Sequence, residues 1–134
     1  FSLFLFFLNL SYTQQFTFEI DWKSPSLIEF GETGYLLPNF ENVSYDNGKP
    51  MFFEKVILKA SDRQVKGVSF ELIKCSAEEI HYLNVLEFQI TEDLQFDIKV
   101  TRGGQNQFLV VSGFPFIRKN GVVHKIASLQ VSPD

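Results

Sequence analysis

The stretch FLVVSGFPFIRKNGVVHKIASLQV, residues 108–131, decides how this chain reads. Two apolar, β-branched runs flank Asn120-Gly121, and that dipeptide between such runs is the strongest short-range signal for a β-hairpin. A type I′ turn needs positive φ at both central residues, which Asn and Gly tolerate best. Pro115 lies inside the first run. It has no N–H to give to a ladder, so an edge position or a bulge is expected there.

Moving back along the chain, Leu94 to Arg102 (LQFDIKVTR) alternates strictly. Leu94, Phe96, Ile98 and Val100 share one face, and Gln95, Asp97, Lys99 and Thr101 share the other, the pattern of a half-buried strand. Gly103-Gly104-Gln105-Asn106 then turns the chain into Phe108. Val68 to Cys75 and Phe52 to Lys59 read as two more strands, joined by a loop over Ser61 to Gly67. Phe16 to Trp22 (FTFEIDW) is another, with Phe16, Phe18, Ile20 and Trp22 inward, and Ser24-Pro25-Ser26 ends it. Between Leu27 and Phe53 the pattern is looser, interrupted by Gly31, Gly34, Pro38, Asn39, Asn42, Asn47, Gly48 and Pro50. Ser76-Ala77-Glu78-Glu79 matches a capping box, which supports either a short helical turn through Leu83 or a loop. The sum is an all-β chain. We expect an antiparallel β-sandwich of about seven strands, Ig-like or propeptide-like, that ends in a type I′ hairpin; a parallel sheet would need long helical crossovers.

With 45% hydrophobic and 21% charged residues, the 134-residue chain is too apolar for disorder and long enough for one real core. Its sixteen Phe sit largely in alternating patterns, so most are expected inside. The net charge of −4 and the lack of a Lys/Arg run argue against nucleic acid as a partner. Phe1 to Leu10 (FSLFLFFLNL) is well short of the roughly 20 apolar residues of a spanning helix. It resembles the apolar region of a signal peptide, with cleavage before Gln14. The expected division is a signal peptide at 1–13 with its charged start missing, and a β domain at 14–134; an N-terminal core strand or helix is the alternative. The chain starts without Met and stops after Pro133-Asp134, which predicts a piece of a longer protein.

A search for chemistry assigns no catalytic, cofactor-binding or metal-ligating residue, and no cofactor is expected. Cys75 is alone, so no internal disulfide can form, and its place in FELIKC reads as a small buried hydrophobe. A nucleophilic Cys75 would need His81 or His124 beside it, and no motif links them. Glu19 and Asp21 are two residues apart on a strand, which reads as a solvated face. The glycines Gly103-Gly104 lack the Lys-Ser/Thr and helix of a phosphate loop. Arg118, Lys119 and Lys125 read as a solvated hairpin tip that keeps an edge from aggregating, or as a contact surface for another domain. Asn42-Val43-Ser44 matches a glycosylation sequon. Trp22, Tyr35, Tyr45 and Tyr82 are the candidates for an aromatic binding platform, although Trp22 closes an inward series and reads as core.

FPFIRKNGVVHKIASLQV resembles a stretch in the N-terminal, gingipain-propeptide-like region of the type IX secretion system sortase, a gingipain-type cysteine peptidase of Bacteroidota. The strand with Trp22-Lys23, the LPNFEN piece (Leu37 to Asn42) and the FELIKCSAEEI piece (Phe70 to Ile80) are similar as well. The resemblance implies an outer-membrane-associated enzyme that removes C-terminal sorting domains from secreted cargo and attaches the cargo to the cell surface. Its catalytic His and Cys would lie in a later domain, and no position here matches them. This stretch would be the non-catalytic N-terminal domain. Its implied partners are the downstream catalytic domain, the outer-membrane secretion machinery and cargo, after export across the inner membrane to the periplasm or cell surface. A stand-alone secreted β-sandwich binding or adhesion module is the competing reading, and a self-contained enzyme is the third.

Overall fold

Asn120-Gly121 forms the expected turn in the computed structural model, which describes residues 15–30, 33–58 and 65–133. Both residues have positive φ, 53° and 75°, and Lys119 pairs directly with Val122, so the loop is a two-residue type I′ turn. The described elements are ten strands and one helix. They are β1 (Phe16–Glu19), β2 (Trp22–Phe30), β3 (Thr33–Phe40), β4 (Ser44–Asp46), β5 (Lys49–Leu58) and β6 (Val65–Lys74). The helix α1 (Ala77–Val85) follows, then β7 (Gln95–Gly103), β8 (Asn106–Phe114), β9 (Phe116–Lys119) and β10 (Val122–Pro133). The signal peptide read over 1–13 and most of the loop read over Ser61 to Gly67 lie outside the described residues.

Every strand pair is antiparallel, and two sheets enclose the core. One sheet has the order β1-β10-β6 with β9 also on β10; the other has the order β4-β5-β8-β7; β2 and β3 form a separate hairpin. Between them lie Phe18, Ile20, Phe40, Phe52, Leu58, Leu109, Val111, Ile126, Leu129 and Val131, with Phe70, Leu72, Phe96, Ile98 and Val100 packed around them. This is the antiparallel sandwich that the alternation predicts, and burial of these side chains drives it. The strand count exceeds seven because the loosely patterned stretch after Trp22 also pairs. There the β2–β3 ladder slips between Lys23 and Ser26. Pro25 sits in that irregularity, so it does not end the strand as expected; an interrupted ladder asks for no N–H at that point.

The terminal hairpin is shorter than the sequence suggests. Of the run before the turn, only β9 pairs with β10, whereas β8 pairs with β5 and β7 in the opposite sheet. Pro115 is the buried corner at which the chain leaves one sheet for the other, neither an edge residue nor a bulge. Its carbonyl accepts from Ile126 N–H at 3.0 Å, and the flanking Phe114 and Phe116 rings lie 5.0 Å apart. A bulge does occur in β10, at Ala127, where the pairing with β6 shifts. The bulge reverses side-chain parity, which puts Ile126, Leu129 and Val131 all into the core. The Ala127 carbonyl accepts from Ile20 N–H at 2.9 Å, which prolongs the β1 pairing.

Gly113 shows what a missing side chain can do. It lies between Phe52 and Phe96 on neighbouring strands. Those two rings approach to 6.2 Å over it. A Cβ there would come within 2.6 Å of Phe96 Cγ and 2.7 Å of its Cα.

Candidate functional site

The capping box forms in full. Ser76 Oγ accepts from Glu79 N–H at 3.1 Å, and Glu79 Oε1 accepts from Ser76 N–H at 2.8 Å. It starts a nine-residue helix, so the turn-or-loop alternative resolves to a helix that runs to Val85. Leu83 on this helix packs with Phe114, Phe116 and Val123, a second small core on the far side of the β9–β10 hairpin.

Between the two cores stands Trp22. Its ring meets Phe40 edge-on at 5.0 Å and Phe116 at 5.4 Å, and its Nε1–H donates to the Ile126 carbonyl at 2.8 Å. Lys125 Nζ lies 4.9 Å from the centre of the same ring. That ammonium also donates to Glu79 Oε2 at 2.8 Å, with side chains only 16% and 11% exposed. Lys125 is therefore not part of a solvated tip. It points back and ties the hairpin to α1, while Lys119 stays exposed and Arg118 Nη1 donates to the Gly121 carbonyl at 3.4 Å.

The electrostatics of this joint are those of a clasp. Burial pushes the Glu79 carboxyl up, but the hydrogen bonds from Lys125 and Ser76 outweigh it and hold the group below the ordinary glutamate range. Glu79 is thus a spoken-for carboxylate and Lys125 a spoken-for cation. Cys75 is partly buried next to them. Burial, then the negative charge of Glu79, push its thiol up to about 12, and Lys125 offsets this only in part. A protonated thiol is a poor nucleophile. His124 Nδ1 lies 3.0 Å from the Val122 carbonyl, and His81 packs against Tyr82.

Among the described side chains, the platform candidates make separate contacts. Trp22 is packed as above; Tyr45 donates from its hydroxyl to the Pro38 carbonyl at 2.9 Å; Tyr82 sits on α1; the Tyr35 side chain lies outside the described residues. Glu19 and Asp21 do face solvent, and with Glu41 and Glu71 they line a shallow cleft. A hydrogen bond and charge from Lys23, at 3.1 Å, hold the Asp21 carboxyl below its usual range. Asn42 of the sequon is exposed, with φ of 63°, in the turn after β3. No group of three or more His, Cys, Asp or Glu among the described residues is placed to hold a metal ion, and no helix among them is long and apolar enough to cross a membrane.

Sequence reasoning missed two features. The Glu79–Lys125 pair joins residues 46 positions apart, and the only signal was the second carboxylate oxygen that a capping box leaves free. The outer face of β5 carries Phe53 and Ile57, 57% and 59% exposed, on an apolar run that alternation alone does not orient. Comparison with protein-family models, with curated proteins and with solved structures finds no match.

Proposed function

We propose that this chain is the non-catalytic N-terminal β domain of a secreted type IX sortase, and that it works by packing against the peptidase domain that follows. One observation carries the reading. The four stretches that resemble the sortase region converge on one joint. Trp22 touches Phe40 of the LPNFEN piece and Phe116 and Ile126 of the terminal segment, under Lys125, which is bound to Glu79 of the CSAEE piece. Stretches that belong to one structural core are expected to meet in this way. The exposed Phe53 and Ile57 offer an apolar surface for a neighbouring domain.

On this reading the protein is exported across the inner membrane and acts at the outer membrane on cargo with C-terminal sorting domains. The catalytic His and Cys belong to the later domain, and Cys75 has no part in the reaction. The test begins with the coding DNA beyond Asp134. A long continuation that encodes a caspase-like His and Cys domain is expected, and deletion of residues 16–134 should then abolish soluble, active peptidase. A stop codon close to Asp134 would overturn the proposal in favour of a free-standing secreted binding module.

A further inference from the structure

β7 is the last strand of its sheet, and no strand among the described residues pairs with its other edge. Its main-chain orientation follows from the turn that leaves it. Gly103 pairs with Asn106 across the two-residue loop Gly104-Gln105. The pair flanking such a loop is hydrogen-bonded, and bonding alternates from there. The odd-numbered residues thus aim N–H and C=O at β8, while Phe96, Ile98 and Val100 aim theirs at the open edge. Asp97 and Lys99 stand on the outer face, 65% and 57% exposed, with their charged groups 3.3 Å apart.

We propose that two copies of this chain pair antiparallel through β7, with the two-fold axis at Ile98. An even-numbered residue must then face an even-numbered one for the edge groups to bond. Several registers meet that condition, and charge selects among them. Centred on Asp97, the pairing sets two carboxylates opposite each other; centred on Lys99, it sets two ammonium groups opposite each other. Centred on Ile98, it sets Asp97 opposite Lys99 twice, and Phe96 opposite Val100 on the core side. The Asp97–Lys99 positions are also non-hydrogen-bonded pairs, whose side chains approach most closely and whose charges act most strongly. The result is one eight-stranded sheet across both copies, from the four strands of each. This inference stands on β7 alone and does not depend on the sortase reading.

The experiment is sedimentation equilibrium of the chain from about 10 μM to 1 mM, since an edge contact is small and belongs to the weak class of interfaces. Wild type is expected to show a monomer–dimer equilibrium. Lys99→Asp puts like charges opposite each other twice and should raise Kd about tenfold or more. Asp97→Lys combined with Lys99→Asp recreates the complementary pattern in mirror form and should restore the wild-type Kd. Neutral Lys99→Gln should fall between, and it tests the proposal if a charge reversal fails to fold. A wild type that stays monomeric would mean that Asp97 and Lys99 guard the edge against pairing, and would overturn the proposal. So would a dimer that ignores Lys99→Asp, or a double variant that does not recover.

Discussion

Replacing Lys125 with Met tests whether the clasp between the terminal hairpin and the helix holds the domain together. At 2.8 Å and an effective dielectric constant of about 20, the Glu79–Lys125 attraction is worth about 6 kcal/mol before solvation is counted. Removing two charges from water cancels most of that, which leaves a net coupling of about 1–2 kcal/mol. Loss of Lys125 alone does more damage, because it strands a carboxylate that is only 11% exposed. A fully buried orphan costs about 3–5 kcal/mol, and this one keeps some water, so about 2 kcal/mol applies. The lost cation–π contact with Trp22 adds about 0.5–1 kcal/mol. Lys125→Met should therefore cost about 3 kcal/mol in urea denaturation at pH 7, with m unchanged. Glu79→Gln should cost less, and the double variant should fall short of the sum of the singles by about 1 kcal/mol or more. The pH dependence has a definite sign. The folded carboxyl titrates below its ordinary value of 4.5, so its stabilisation is complete above that value and is lost as pH falls through the folded value. The gap between wild type and Lys125→Met should close as the solution is acidified. A Lys125→Met cost under about 0.5 kcal/mol, or additive singles, would refute the reasoning.

Changing both Asn120 and Gly121 to Val forces β-branched residues to φ of 53° and 75°; about 2–4 kcal/mol should be lost, read as a drop in Tm, and an unchanged Tm would show that the turn is dispensable. Gly113→Ala drives a methyl into the Gln95 carbonyl and Phe96, for a cost of about 2 kcal/mol or more by urea titration, whereas the same change at exposed Gly67, which has open space, should stay within about 1 kcal/mol. Trp22→Phe leaves the Ile126 carbonyl without its donor, and about 1–3 kcal/mol should go; a difference near zero would mean that water replaces the indole there. Because the Cys75 thiol is held up to about 12 from 9.0, it should resist alkylation at pH 8 until the chain unfolds, and the stability it contributes should decline as pH rises above about 9.

Much of the candidate site was readable one residue at a time, and little of it as an arrangement. Ser76 and Glu79 announce a helix start because both partners lie within one turn. Trp22 reads as core because it continues the alternation of Phe16, Phe18 and Ile20. Lys125, four residues past a hairpin turn that Arg118 and Lys119 precede, reads as solvated, and only its opposition to α1 across the chain shows otherwise. Pro115 reads as an irregularity in one hairpin because the apolar runs on both sides look continuous, yet the strands they form sit in different sheets.

The all-β class, the inward faces of β1 and β7, the type I′ turn at Asn120-Gly121 and the helix cap at Ser76 were determined by the amino-acid sequence alone. Each depends on period, turn chemistry or a hydrogen bond between near neighbours, and such preferences act within a few residues. The split of residues 108–119 between two sheets, the parity switch at Ala127, the Glu79–Lys125 clasp under Trp22 and the place of β7 at the end of its sheet among the described strands were decided only by the tertiary structure. These depend on which distant strand lies alongside. That choice is made by how the apolar faces of the whole chain can be buried at once, and no local pattern encodes it.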